Sequence, residues 1–181
     1  MGYYKILSEP LSKRSLDYKG LYRSEPLPQS GKKNRFFELW QRYSHDSKGI
    51  TTELTVSELK ELANLASQAT DSSYEVVFFD EKFDCPHESV YYGIDVTSWG
   101  GYSMLGEGLF YNREENKPQY PYYFVEIINQ YFGERINQNG LFENLEDAIN
   151  FQCVLRELNQ FFPNYIEQED WHIVHIFSMV I

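Results

Sequence analysis

Apolar residues recur along this chain with two periods, and each change of period marks an element. Phe36, Leu39, Trp40 and Tyr43 stand at i, i+3, i+4 and i+7, one face of a helix that Asn34 is placed to cap. Thr55-Val56-Ser57-Glu58 spells a capping box, and Leu59, Leu62, Leu65, Ala66 and Ala69 give the helix it opens a buried stripe. Tyr74 to Asp80 (YEVVFFD) is a β-branched and aromatic run of strand length. Pro121 opens a further helical pattern through Phe124, Ile127, Ile128, Tyr131 and Phe132, with Gly133 as its expected C-cap. Another helix opens at Asn144 with Glu146 and Asp147 in its first turn. Leu145, Ala148, Ile149, Leu155, Leu158 and Phe162 form its apolar face, and Phe151 and Val154 broaden that face. Trp171 to Ile181 (WHIVHIFSMVI) is apolar on both sides, as a central strand requires.

The densest aromatic and glycine content lies at residues 89–112, SVYYGIDVTSWGGYSMLGEGLFYN. Val90, Tyr92, Ile94 and Val96 alternate with Tyr91, Gly93, Asp95 and Thr97, the period of a half-buried strand. Ser98-Trp99-Gly100-Gly101 punctuates it, and a second extended piece from Ser103 to Tyr111 follows. Two readings of this turn stand. In one, Trp99 and Tyr102 belong to the core. In the other they are exposed binding anchors flanked by Asp95 and Glu107.

Together these elements predict an α+β fold: a single domain over 34–181 with a central, mostly antiparallel or mixed sheet and three or four packed helices. Residues 1–33, with Pro10, Pro26, Pro28 and scattered Lys and Arg, read as an irregular basic N-terminal segment. Aromatic residues make up 17% of the 181, which argues against disorder. No run of eighteen apolar residues exists, so no membrane span is expected. The first residues lack a signal peptide's apolar core, and two cysteines, Cys85 and Cys153, make no disulfide framework. A cytoplasmic protein with reduced thiols is the expectation.

Charge changes the picture more. The net charge is −11, with ten Lys/Arg and five Asp/Glu in residues 1–50 but six against 22 in residues 51–181. That acidic body would repel phosphates, so direct nucleic-acid binding is not expected. It is either a solubility feature or a surface that steers in a basic partner.

The sequence carries few signs of chemistry. His172 and His175 lie three apart on a predicted strand and so on opposite faces, which rules them out as a joint metal grip. Cys85-Pro86-His87 sets a thiol near an imidazole without an orienting third group. There is no P-loop, dinucleotide-binding glycine motif or Gly-x-Ser-x-Gly elbow. Asp95 with Glu107, or Glu88 with Glu107, would serve a carboxylate-dependent hydrolase, but 27 acidic residues make some such pair inevitable. No catalytic residue, cofactor or metal is expected.

The run YYGIDVTSWGGYSMLGEGLF (Tyr91 to Phe110), in an acidic chain of single-domain size without a catalytic signature, resembles bacterial toxin-immunity proteins. These are the cytoplasmic antidotes of polymorphic and contact-dependent inhibition toxins. The resemblance implies a protein that binds a cognate toxin with a basic surface, often a nuclease, and blocks its active site or substrate path. The expected partner-binding residues are Asp95, Trp99, Tyr102, Glu107, Glu114 and Glu115. A small hydrolase using carboxylates or His87, and a non-inhibitory adaptor, are the alternatives.

Overall fold

The computed structural model describes residues 2–7, 33–44, 53–70, 72–84, 86, 88–97, 103, 130–161 and 171–179. The fold is α+β. Strands β1 (Tyr3–Leu7), β2 (Glu75–Asp80), β3 (Ser89–Thr97) and β4 (His172–Met179) form one antiparallel sheet in the order β1-β2-β4-β3. Helices α1 (Lys33–Ser44), α2 (Val56–Ala69) and α3 (Leu145–Phe161) accompany it. Two compact units emerge, one from residues 1–10, 19–91 and 176–181, the other from 11–18 and 92–175.

In the first unit β1 pairs antiparallel with β2, Tyr3 opposite Phe79 and Lys5 opposite Val77. The irregular N-terminal segment expected from the sequence therefore begins with a strand. Its YYKIL run alternates as β2 does, with Tyr4 and Ile6 turned to the helices. Phe36, Leu39, Trp40 and Tyr43 of α1 and Leu59, Leu62, Ala63, Leu65 and Ala66 of α2 bury against Ile6, Val76 and Met179. The Tyr43 hydroxyl reaches into this core and accepts the Ile6 backbone N–H at 3.1 Å.

The capping box at Thr55 is present in full: Thr55 Oγ1 accepts the Glu58 N–H, and a Glu58 carboxylate oxygen accepts the Thr55 N–H at 2.8 Å. That carboxylate also receives the Arg42 guanidinium, so one residue ties the start of α2 to the end of α1. A second arginine repeats the link, Arg35 gripping Glu61 at 3.0 and 2.9 Å. Helix α1 includes both Lys33 and Asn34, so Asn34 is not its cap.

The second unit has a core of Ile94, Val96, Phe132, Phe142, Ala148, Phe151, Leu155 and Trp171. Three rings meet at its centre: Phe151 lies 5.2 Å from Phe132 and 5.6 Å from Phe142, with Phe132 and Phe142 5.9 Å apart. Helix α3 buries a narrower face than its sequence suggests. Ala148, Phe151 and Leu155 point inward, while Leu145 and Ile149 stand 48% and 44% exposed. Residues 145 and 149 lie about 60° and 100° around the axis from Ala148, on the side away from Phe151 and Leu155, so one helix cannot bury both groups against one surface.

Of the helix expected from Pro121, residues 130–132 fall among those described; they are helical and run into a 3-10 turn, Gly133–Arg135. Gly133 has no positive φ and so is not a left-handed cap. Next comes a tight return from Ile136 to Phe142, bridged to each other and, through Phe142, to Ile94 of β3. Gly140, at φ 71°, makes the turn, and the Asn137 side-chain oxygen accepts the Asn139 and Leu141 N–H groups. Its amide nitrogen donates to the Tyr92 carbonyl at 2.9 Å, fixing the return to the strand. The approach is close enough to demand glycine at 93. At φ 140°, a Cβ there would lie 2.7 Å from Leu141 Cβ and 2.9 Å from the Phe142 carbonyl oxygen.

Candidate functional site

The connection from β2 to β3, residues 81–88, carries the most unusual backbone in the described chain. Phe83 has φ 56° and Glu88 φ 59°, the only positive values outside glycine among the described residues. A bulky side chain on the left-handed side costs about 1–3 kcal/mol and persists only where neighbouring structure enforces it. Here the enforcing group is Asp80. Buried at the end of β2, its carboxylate oxygen Oδ2 accepts the N–H groups of Lys82 at 3.0 Å and Asp84 at 2.9 Å, one on each side of Phe83. Further on, Ser89 Oγ donates to the Pro86 carbonyl at 2.7 Å and steadies the entry to β3.

The strain does not serve burial. Phe83 is 53% exposed and Tyr91, on β3, is 40% exposed. Their rings meet edge to face, 5.3 Å apart at 86°, over Phe177 of β4, which lies 5.7 Å from Phe83 and 5.2 Å from Tyr91 and is itself fully buried. Two exposed rings thus form a corner whose floor is core. Val90, also exposed, precedes Tyr91 in β3 and so points to the opposite face. Burial pushes the Tyr91 phenol up to about 12, so it stays neutral at any physiological pH. Among the described residues of the 81–88 connection that carries Phe83, Glu81, Asp84 and Glu88 are exposed carboxylates and Lys82 an exposed cation.

The residues chosen from sequence fare differently. Asp95 is in β3 as expected but has no exposed surface, and its Oδ1 accepts the Val96 N–H at 2.8 Å. At that position it offers no exposed surface to a partner, because residues 93–97 of β3 are buried on both faces of the strand. Trp99, Tyr102, Glu107, Glu114 and Glu115 lie outside the described residues, as do Cys85 and His87. Ser103 is buried and bridges antiparallel to Thr97, so the chain returns beside the end of β3. His172 and His175 both belong to β4, where a spacing of three sends them to opposite faces. Among the described residues no group of three or more His, Cys, Asp or Glu side chains is arranged to hold a metal ion. No described helix is long and apolar enough to cross a membrane.

Sequence reasoning missed the Phe83 corner because Asp84-Cys85-Pro86-His87 reads as a plain interruption. One signal was available: a phenylalanine between charged residues in a loop has no periodic partner that would bury it. No protein family, curated protein or solved structure matches this chain.

Proposed function

We propose that this protein is an inhibitory binding protein of the toxin-immunity kind, which neutralises a basic cognate toxin, with a nuclease as the favoured class, by covering its active site or substrate path. The observation that carries the reading is the exposed Phe83–Tyr91 corner, held out at a cost in backbone strain on a connection that also exposes Glu81, Asp84 and Glu88. Aromatic side chains seated on a rigid floor are the usual anchors of tight interfaces, because they bring large area at little entropic cost. Carboxylates around them suit a surface evolved to bind phosphates, which is cationic. The 22 acidic residues beyond position 50, against six Lys/Arg, are of the sign that such a partner needs. Trp99, Tyr102, Glu107, Glu114 and Glu115 enter the same proposal on sequence grounds, as further contacts from the turn that follows β3; Asp95, being buried, does not.

The test is co-expression with the toxic domain encoded by the neighbouring gene. Cells producing both should grow, and the purified pair should associate one to one. Replacing both corner rings, Phe83→Ala with Tyr91→Ala, should abolish protection while the variant remains soluble and folded. Full protection by that double variant would remove the corner from the interface. Turnover of a substrate by the protein alone, lost on Glu88→Gln, would instead favour the hydrolase.

A further inference from the structure

From the geometry of the Phe83–Tyr91 corner we infer that it receives an arginine side chain of the partner, the guanidinium stacking on an aromatic face while its N–H groups reach the surrounding carboxylates. The inference rests on the binding role proposed above and names the chemical group that the corner selects.

Three features lead to it. First, the rings are set at 86° to one another, so Phe83 and Tyr91 do not present equivalent surfaces: one ring's edge abuts the other's face, as in one corner of an aromatic cage. The π face carries the negative end of the ring quadrupole and attracts a cation set over it. Second, Phe177 closes the floor at 5.2 and 5.7 Å from the two ring centres, so an entering side chain stacks against a fixed surface. Third, among the described residues of 81–88 the exposed charges are Glu81, Asp84 and Glu88 against Lys82. An apolar side chain would gain nothing from that excess of carboxylates, whereas a cation gains from both the rings and the charge.

Between the two cations, arginine fits better. Its guanidinium is planar and weakly hydrated, so it stacks on a ring at little desolvation cost, and its fork of N–H donors matches a carboxylate in two places at once. An ammonium is a strongly hydrated point charge and would lose more water for fewer directed bonds. The Asp80 bonds to the N–H groups of Lys82 and Asp84 keep Phe83 in place before the partner arrives, so little ordering remains to be done on binding.

The full chain, labelled for aromatic resonances, would be titrated with an acetylated Gly-Arg-Gly-Arg-Gly amide and with the same peptide carrying citrulline or lysine. The arginine peptide should shift the Phe83 and Tyr91 ring signals saturably, and citrulline, which keeps the shape but loses the charge, should bind at least about tenfold more weakly. Lysine should fall between them. Phe83→Gly should erase the Tyr91 shift while leaving the backbone fingerprint intact, which separates lost binding from lost folding. Equal response to arginine and citrulline, or shifts that avoid both rings, would overturn the inference. The wider reading fails separately: a toxin complex whose association ignores ionic strength would sink it whatever the peptides do.

Discussion

Gly93 and Gly133 differ by what surrounds them, and that difference is measurable. A methyl group at Gly93 has to enter space held by Leu141 and the Phe142 carbonyl at a φ that side chains avoid. At Gly133 nothing lies within 4 Å of the position a Cβ would take. Gly93→Ala should therefore cost about 2 kcal/mol or more in chemical denaturation, and Gly133→Ala should leave stability unchanged or slightly raised. Lys5 makes a second case at this scale. Burial beside the rings of Tyr3 and Phe79, whose centres lie 5.8 and 5.9 Å from its ammonium, pulls its pKa down to about 8. A lysine with a lowered folded pKa destabilises the native state below that value, and the penalty is relieved as pH climbs from about 8 toward its unfolded value of 10.5. Lys5→Met should accordingly stabilise the protein at pH 7, by an amount that shrinks toward pH 10. Phe83 completes the set: Phe83→Gly relieves a backbone strain of about 1–3 kcal/mol and gives up a half-exposed ring, so the melting temperature should hardly move.

Among the elements, α2 carries the clearest consequence of its sequence. Glu58 is at once the second half of the capping box and the acceptor for Arg42, and these bonds, Arg42's foremost, hold its carboxyl at about 2. Because that pKa is depressed in the folded state, the contribution is complete above the ordinary value of 4.5 and disappears as pH falls through about 2. Acid unfolding followed by circular dichroism should show wild type losing stability across that window, and Glu58→Gln losing less. This helix was legible to the residue because a capping box is a local code. Helix α3 was legible in extent but not in facing. Period alone could not say that Phe151 sits at the centre of a three-ring core while Leu145 and Ile149 point out. Phe151→Ala should cost about 3–5 kcal/mol, whereas Leu145→Ser and Ile149→Ser should each cost under about 1 kcal/mol. Strand β1 hid behind the prolines that follow it, since its partner β2 lies some seventy residues on. The Ile136–Phe142 return carried an overt sign, Asn139-Gly140, the dipeptide that tight turns favour. The Phe83 corner was illegible because it depends on Tyr91 and Phe177, brought together only by the sheet order.

Across the whole molecule, the asymmetry of charge sets what it can meet. A chain of net −11 with its carboxylates concentrated beyond residue 50 approaches anionic surfaces poorly and cationic ones fast. In the proposed complex tight binding depends on a few anchors, and the strained corner at Phe83 and Tyr91 is the surface we propose for them. The most direct measurement is the association rate with the proposed partner, a basic toxin domain, from about 50 to 500 mM salt, for wild type and for Glu81→Lys with Glu88→Lys. The account predicts a wild-type rate that falls by about tenfold or more across the series and a variant that starts slower and depends less on salt. A rate indifferent to salt, or a variant indistinguishable from wild type, would contradict it.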